Sequence, residues 1–386
     1  MTALAVAGCD VDLDLPDGGV SSLDGGATVG VSFEMHQERF DPTTGQFVVL
    51  APPPTQRNLF DVETVNGKVV VLGGLDGSGD YVSTVEVYDP VAAAWTTGAA
   101  WPHPHTAYFA AVGNLVCAFA GTTGLSLTPV LDVDCYDAVA DAWSARAPVP
   151  EDLGVIYPVV VGNDIDVLGG AYLDAQNLAT PHAKAYAYDT GADTWTPLAA
   201  LPGPRGLAAV VTTGGLVYVV GGIGAPVVGT TGPSDTAMLV YDPGANTWAN
   251  APQMPTARIL GFGVDAIGQS GELATYFGIA GPPTLDRYSA ATDTWRSGTE
   301  PPHPLAPGVY SSLTMAGNIY VLDLADSIDS GGTSSSGQLW EYDATSDAWS
   351  VVGQRTADSR TALFFGVPIA GSIDFVGAFT NVAVSP

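Results

Sequence analysis

Positively charged side chains recur at one place in a repeating unit of roughly 50 residues. The residue that leads into the first strand of each unit is, in chain order, Arg57, His105, Leu153, Arg205, Arg258, Leu305 and Arg360. Arginine presents a planar fork of donors that matches carboxylate, sulfate or phosphate groups. If the units close into a ring, the charged positions converge, and they are predicted to bind an anionic group: Arg57, His105, Arg205, Arg258 and Arg360. The alternative is that each arginine pairs with an acidic side chain of the neighbouring unit.

Three cysteines offer lipidation or disulfide chemistry. Cys9 ends an apolar run, Val6-Ala7-Gly8-Cys9, that resembles the lipobox of bacterial lipoproteins, in which the signal segment is cut before a cysteine that then carries lipid. The run is short and no Lys or Arg precedes it, which departs from that pattern. Cys117 and Cys135 are predicted to lie on neighbouring strands, where they form either a disulfide in an exported chain or two buried thiols.

The composition favours short strands joined by turns, and the charge excludes two classes of partner. The 386 residues include 47 glycines and 29 prolines, and 13% are charged, which is typical of an all-β chain rather than of long amphipathic helices. The 11 basic residues against 40 acidic ones give a net charge of −29, which repels phosphate backbones and anionic headgroups. We therefore predict no nucleic-acid partner, and membrane association only through an N-terminal lipid anchor.

A Tyr-Asp pair with a Trp seven positions after the Tyr organises the chain. The pattern occurs at Tyr88-Asp89 with Trp95, Tyr136-Asp137 with Trp143, Tyr188-Asp189 with Trp195, Tyr241-Asp242 with Trp248 and Tyr342-Asp343 with Trp349. Tyr288-Ser289 with Trp295 loses the Asp, and Phe40-Asp41 with Phe47 replaces both rings. The Asp is expected to cap a tight turn between the third and fourth strands of a four-stranded meander. Apolar runs that end in small residues, such as residues 69–74 and 217–222, are expected to form the second strand.

This order of a small pair, then Tyr-Asp, then Trp resembles the kelch repeat, over about residues 30–380. The resemblance implies an all-β fold, a seven-bladed β-propeller of four-stranded blades around a central channel. The chain opens with the last half of a unit and ends with the first half, so we predict that the two half-blades pair to form the seventh blade. The predicted organisation is an export segment with a flexible acidic linker over residues 1–29 and the propeller over residues 30–386.

The sequence predicts a non-catalytic binding module, exported to the bacterial cell envelope as a periplasmic or surface lipoprotein, or else secreted. We expect a monomer that binds a protein or a glycan through the arginine-lined face. Galactose oxidase is a kelch relative whose copper site needs a Tyr cross-linked to Cys; here Cys117 and Cys135 fall within strands, so no cofactor and no metal are predicted. The competing expectation is a sugar-active enzyme resembling the kelch-type mutarotases that act on sialic acid, in which arginine would hold the sugar carboxylate.

Overall fold

The protein folds into a ring of small antiparallel sheets. A computed structural model describes residues 20–22, 28–123, 128–174, 178–228, 235–257, 263–268, 271–276, 284–300, 310–323, 337–355 and 362–385. Within these residues all regular secondary structure is β-strand. The strands form seven sheets of four core strands each, and three of the sheets carry one further short strand. The prediction of an all-β, seven-bladed β-propeller is confirmed.

The first blades follow one another along the chain. Three strands precede them: β1 (Val20–Ser22), β2 (Thr28–Asp41) and β3 (Gln46–Leu50). Blade I contains β4 (Asp61–Val65), β5 (Lys68–Leu72), β6 (Glu86–Asp89) and β7 (Ala94–Thr97). Blade II contains β8 (Thr106–Val112), β9 (Leu115–Thr123), the short β10 (Thr128–Pro129), β11 (Val133–Asp137) and β12 (Ala142–Arg146). Blade III contains β13 (Pro158–Val161), β14 (Asp164–Leu173), β15 (Leu178–Asp189) and β16 (Thr194–Pro197).

The remaining strands complete the ring. Blade IV contains β17 (Ala209–Thr213), β18 (Leu216–Val220), β20 (Met238–Asp242) and β21 (Thr247–Ala251), whereas the intervening β19 (Val227–Val228) pairs with β15 of blade III. Blade V contains β22 (Gly263–Ile267), β23 (Glu272–Tyr276), β24 (Leu285–Ser289) and β25 (Thr294–Ser297). Blade VI contains β26 (Tyr310–Met315), β27 (Asn318–Asp323), β28 (Gln338–Asp343) and β29 (Ala348–Gln354). The last strands are β30 (Ala362–Ile369) and β31 (Ser372–Ser385).

Blade VII combines strands from both ends of the chain. Its strand order is β30-β31-β2-β3. The central pairing runs from Thr28 opposite Ser385 to Phe40 opposite Ile373. The predicted closure by the two half-blades is therefore confirmed, and it removes the open edges that two incomplete sheets would expose.

The meander order gives the ring two different faces. One face carries the connections between first and second strands and between third and fourth strands, and we call it the turn face. The other carries the connections between second and third strands and the segments that link one blade to the next, and we call it the loop face. The second strands pass between the two faces through the core, which explains their unbroken apolar sequence: Val69, Val70, Val71 and Leu72 of β5 are all completely buried.

Neighbouring blades are joined by hydrogen bonds around the repeated Tyr and Trp. Five residues after the Tyr stands Asp141 in a left-handed conformation (φ 51°). Its Oδ1 accepts from the Tyr136 hydroxyl of its own blade at 2.8 Å and from the Ala99 amide, which follows the preceding blade, at 2.6 Å. Trp143 Nε1 donates to the Ala99 carbonyl at 2.9 Å. We call this arrangement the inter-blade clamp, and it recurs at Asp193, Asn246 and Asp347.

Candidate functional site

The predicted ring positions lie on the loop face, just before the first strand of each blade. The structure describes Arg57, His105, Leu153 and Arg205. The other predicted site residues, Arg258 and Arg360, and the predicted lipidation residue Cys9 lie outside the described residues.

The Arg57 side chain binds partners within its own blade, blade I. Its side chain is completely buried (0% exposed). Nη2 lies 3.1 Å from Glu86 Oε2, and Nη1 donates to the Gly73 carbonyl at 3.0 Å. Glu86 Oε1 also accepts from the Thr55 amide at 2.7 Å. Burial lowers the pKa of Arg57 below its ordinary value, because a cation is poorly solvated there, and the Glu86 carboxylate opposes that shift.

Arg205 has the same role in blade IV. The side chain is buried, Nη1 lies 2.6 Å from Asp235 Oδ2, and the same nitrogen donates to the Gly221 carbonyl at 3.4 Å. Burial disfavours the ionised form of Asp235, but the hydrogen bond and positive charge of Arg205, together with the Ala237 and Thr236 amides, outweigh burial, so the pKa of Asp235 lies below its ordinary value. Arg205 therefore anchors Asp235, which lies shortly before the third strand of blade IV.

Three of the described ring residues, Arg57, His105 and Arg205, share one contact with the backbone. His105 Nε2 lies 2.9 Å from the Ala120 carbonyl, and Ala120 occupies in blade II the place that Gly73 and Gly221 occupy in blades I and IV. All three acceptor residues have positive φ, at 68°, 48° and 65° for Gly73, Ala120 and Gly221. These three ring residues thus hold the ends of the second strands of their blades.

This geometry changes the interpretation of the arginine ring. Arg57 and Arg205 are counter-ions of acidic residues in their own blades, not of the neighbouring blade as the alternative expected. An external anion would have to displace Glu86 or Asp235 and leave that carboxylate without its cation. Arg57 and Arg205 thus have acidic partners within their own blades, and anion binding by Arg57, His105, Arg205, Arg258 and Arg360 stays a prediction.

Sequence reasoning missed a set of buried acids two residues before the repeated aromatic. Glu38, Glu86 and Asp134 occupy this position and are almost fully buried. Each anchors a segment that links two blades: Glu38 binds Arg355, Glu86 binds Arg57, and Asp134 binds Trp101. The sequence feature that could have identified these acids is their fixed position two residues before the Tyr-Asp or Phe-Asp pair.

The Trp101–His105 segment and the two cysteines both lie in blade II. Trp101 Nε1 donates to Asp134 Oδ2 at 2.8 Å, and His103 Nδ1 lies 3.2 Å from the same oxygen. Cys117 and Cys135 face each other directly across β9 and β11, and their sulfur atoms are bonded. The bond joins the second and third strands of the blade.

The second and third strands of blade III extend beyond the plain repeat on the loop face, as do those of blade VII. The β14–β15 hairpin continues past a bulge at Leu168/Gly170 to Leu173 opposite Ala179, and β19 of the next blade adds a third strand to it. Ala171, Ala179 and Val227 are buried on one side of this projecting sheet, whereas Val228 is 65% exposed. One side of the projecting sheet therefore packs against the hydrophobic core, and Val228 presents an apolar side chain to solvent.

Polar and aromatic side chains surround the base of the projecting sheet. Lys184 Nζ forms an ion pair with Glu151 and donates to the Tyr172 hydroxyl at 2.7 Å, and the Tyr186 hydroxyl donates to Glu151 Oε1 at 2.6 Å. The hydrogen bond from Lys184 holds the pKa of Glu151 below its ordinary value. Burial alone would lower the pKa of Lys184, but the bonds to Glu151 and Tyr172 outweigh it and raise that pKa to about 12. Tyrosines with fixed hydroxyls are frequent at protein interfaces.

The described part of the chain contains neither a metal-ligating cluster nor a membrane-spanning helix. No group of three or more His, Cys, Asp or Glu side chains there is arranged to hold a metal ion. No helix there is long and apolar enough to cross a membrane.

Family models and relatives match the repeats. The Kelch motif model matches residues 56–100 and 204–255. Kelch-like protein 35 of Mus musculus is 30% identical over 195 residues, which are 49% of this chain and 30% of that protein. Kelch-like protein 34 of Homo sapiens is 26% identical over 258 residues, 65% of this chain and 35% of that protein. Alpha-scruin of Limulus polyphemus is 30% identical over 183 residues, 46% of this chain and 20% of that protein.

A solved structure shows the same fold. The structure of YjhT superposes with a TM-score of 0.57 at 15% identity and covers 78% of this chain and 99% of its own. By contrast, the chain spans less than half the length of the curated relatives named above.

Proposed function

Because this chain is a kelch-repeat β-propeller, we propose that it is a non-catalytic scaffold that binds a protein through the loop face of blades II to IV. The fold is consistent with such a scaffold. The observation that carries the proposal is the projecting sheet of β14, β15 and β19. Function in repeat scaffolds resides in loops held by a rigid frame, and this sheet extends the loop face beyond the plain repeat with strands from two neighbouring blades.

The composition of the projection suits a protein partner. Val228 offers an exposed apolar contact, and Tyr172 and Tyr186 offer aromatic surface whose hydroxyls are already oriented. Aromatic side chains that lose little conformational freedom on binding are typical of interface hot spots. The turn face, in contrast, repeats one tight Asp-capped turn from blade to blade, as at Asp89 and Asp137.

Two matched substitutions test the proposal. Val228→Asp places a charge on the loop face, and Val91→Asp places one on the turn face, where Val91 is 95% exposed. Cross-linking of the purified protein in an envelope extract, followed by mass spectrometry, should identify a protein that Val228→Asp loses and Val91→Asp retains. A partner lost equally by both variants, or retained by both, would show that the loop face is not the binding site.

Glycan binding and catalysis on a sugar are two alternatives to protein binding, and two further measurements distinguish them. A glycan array probed with the protein and with Val228→Asp would reveal a carbohydrate ligand in place of a protein. Accelerated anomer exchange of an acidic sugar by the purified protein would contradict a non-catalytic role.

We also propose that the chain is exported and lipid-anchored at Cys9. The apolar run before Cys9 and the net charge of −29 support this location, since negative charge keeps an extracellular protein soluble. Labelled palmitate should be incorporated into the protein but not into Cys9→Ser. Equal labelling of both would place the lipid elsewhere, and labelling of neither would favour secretion without an anchor.

A further inference from the structure

Asp166 is a buried acid to which the described part of the chain supplies no counter-ion. It lies on β14, the second strand of blade III, and is 3% exposed. Burial and the negative charge of Asp164 raise the pKa of Asp166 to about 7, and no described cation or hydrogen-bond donor opposes that shift. A carboxylate in such surroundings is costly to ionise unless a cation binds it.

The same register position carries a complete ion pair in blade VII. There Asp374 on the second strand stands directly opposite Arg39 on the third strand, and the guanidinium binds both carboxylate oxygens, at 2.5 Å and 2.8 Å. In blade III, Asp166 stands directly opposite Ala187. Both Arg39 and Ala187 immediately precede the repeated aromatic residue. Blade III therefore carries the acid of this pair opposite an alanine.

A tyrosine ring of the following blade forms the second side of this position. The Arg39 guanidinium lies 5.8 Å from the ring centroid of Tyr88 in blade I. In blade V, Arg287 stands at the position of Arg39 and lies 5.7 Å from the corresponding tyrosine ring of blade VI. The equivalent ring beside blade III is that of Tyr241. Burial and then the charge of Asp166 raise the pKa of Tyr241 to about 12, which shows that the two side chains are close.

The position borders solvent. The Arg39 side chain is 24% exposed, although the side chain of its partner Asp374 is completely buried. Ala187, which stands at the position of Arg39 in blade III, is partly exposed as well. A cation from solution can therefore approach the acid along the path that the arginine side chain follows in blade VII.

The charges around Asp166 favour a cation. The neighbouring strands β13, β17 and β18 carry no Asp, Glu, Lys, Arg or His. Lys184 on β15 already forms an ion pair, and it stands three residues from Ala187, so it lies on the other side of the sheet. The titratable groups on the strands packed around the acid are Asp164, Lys184, Tyr186, Tyr188, Asp189, Tyr218, Tyr241, Asp242 and His182.

We propose that Asp166 and the Tyr241 ring form a binding site for a guanidinium cation from outside the chain, at the junction between blades III and IV. The carboxylate accepts two hydrogen bonds from the planar fork of donors, as Asp374 does from Arg39, and the ring attracts the cation. The cation comes either from a small molecule or from an arginine side chain of another protein. Asp166 lies two residues from the turn-face end of β14, so this site is separate from the loop face and independent of its role.

Titration calorimetry with methylguanidinium chloride tests the site at about pH 8, where Asp166 is ionised. The natural protein should bind one cation per chain with a dissociation constant of about 1 mM. Asp166→Asn keeps the shape of the side chain but removes its charge, and should weaken binding at least about tenfold. Ala187→Arg supplies the guanidinium from the chain itself and should abolish binding. Asp164→Asn removes a neighbouring charge on the same strand and should retain it.

Two results would overturn the proposal. One is the absence of saturable binding by the natural protein up to about 20 mM cation, and the other is equal binding by the natural protein and Asp166→Asn. Circular dichroism checks that each variant folds. If Ala187→Arg does not fold, Asp166→Asn decides the question, because it removes an unpaired buried charge and is not expected to destabilise the protein.

The affinity should depend on pH in one direction. The cation binds the ionised carboxylate, and the pKa of Asp166 in the free protein is about 7. The affinity should therefore rise about tenfold between about pH 6 and about pH 8, and binding near neutral pH should release a proton. Calorimetry in two buffers with different heats of ionisation measures that proton. An affinity that is constant over this range would contradict binding at Asp166.

A competition experiment identifies the source of the cation. A short peptide with one arginine, and the same peptide with glutamine in its place, are added to the protein loaded with methylguanidinium. Displacement by the arginine peptide alone supports an arginine side chain of a partner protein as the ligand. Displacement by free agmatine but by neither peptide supports a small molecule. Equal displacement by both peptides would show that the guanidinium group is not what the site recognises, and would contradict the proposal.

Discussion

The junction between blades II and III and the junctions that close the ring use different chemistry. Between blades II and III, Asp193 Oδ1 accepts from the Tyr188 hydroxyl at 2.7 Å and from the Ala147 amide at 2.7 Å. At the matching position of blade I stands Ala93, which has no side-chain acceptor, and the buried Tyr88 hydroxyl has no hydrogen-bond partner among the described residues. The clamp is therefore incomplete where blade VII meets blade I.

Buried ion pairs hold blade VII instead. Arg39 and Gln37 on β2 bind Asp374 on β31, with Arg39 Nη2 at 2.8 Å and Gln37 Nε2 at 3.0 Å from its Oδ2. Arg355, after blade VI, binds both oxygens of Glu38 at 2.8 Å. A buried pair adds little net stability over apolar packing, but a wrong register leaves charges unpaired at high cost. The blade that is assembled from both ends of the chain is thus held by ion pairs, and these ion pairs disfavour any structure in which its strands pair in the wrong register.

The largest expected effect comes from breaking one of these pairs. Glu38→Ala leaves the buried Arg355 guanidinium without its carboxylate, and we expect a loss of about 3–5 kcal/mol in the free energy of unfolding. Urea denaturation measures it. The double variant Glu38→Met with Arg355→Met should recover most of the loss, because it removes both charges. A double variant as unstable as Glu38→Ala would show that packing, not the charge, matters at this junction.

Acid should weaken the junction between blades VI and VII over a defined range of pH. Burial opposes ionisation of Glu38, but hydrogen bonds from His36 and Arg355 outweigh it and lower the pKa of Glu38 from 4.5 to about 2. The folded state binds this proton less tightly, so the contribution is present above about pH 4.5 and is lost as the pH falls toward 2, by about 3 kcal/mol. The stability of the Met double variant should depend less on pH over this range; an equal dependence would place the effect elsewhere.

Removing a clamp should cost less than removing a buried charge partner. Asp141→Ala deprives the Tyr136 hydroxyl and the Ala99 amide of their shared acceptor, and we expect a loss of about 2 kcal/mol. Asp141→Asn copies the natural clamp at Asn246 and should cost less than about 1 kcal/mol. Thermal and urea unfolding of the two variants measure the difference. Equal losses would mean that the carboxylate charge, which Asn lacks, is essential.

The smallest expected effect is a gain at the incomplete clamp. Ala93 adopts φ 50°, a conformation that asparagine tolerates better than alanine. Ala93→Asn should also supply an acceptor for the Tyr88 hydroxyl and stabilise the protein by about 1 kcal/mol. Ala93→Gly relieves the backbone alone and serves as the control. If glycine stabilises as much as asparagine, the gain comes from the backbone and no clamp has formed.

Much of the fold could be predicted because each blade repeats the same local sequence pattern. The Tyr-Asp and Trp spacing placed the third and fourth strands, and the apolar runs placed the second, as in β5 and β18. The chain ends revealed the split blade, because its halves carried opposite parts of the unit. The clamp residue at Asp141 or Asp193 was missed, although it too recurs five residues after the Tyr, because an exposed-looking Asp in a turn gives no sign of the neighbouring blade that it binds.

The sequence by itself determined the number of blades and the position of the ring residues on one face, because both follow from periodicity along the chain. Only the tertiary structure decided what the ring residues do. Arg57 and Arg205 find Glu86 and Asp235, 29 and 30 residues away in the sequence, and such partners are fixed by strand register. The same holds for His105: its residue type was evident from the start, but the Ala120 carbonyl oxygen that it faces was placed there by folding.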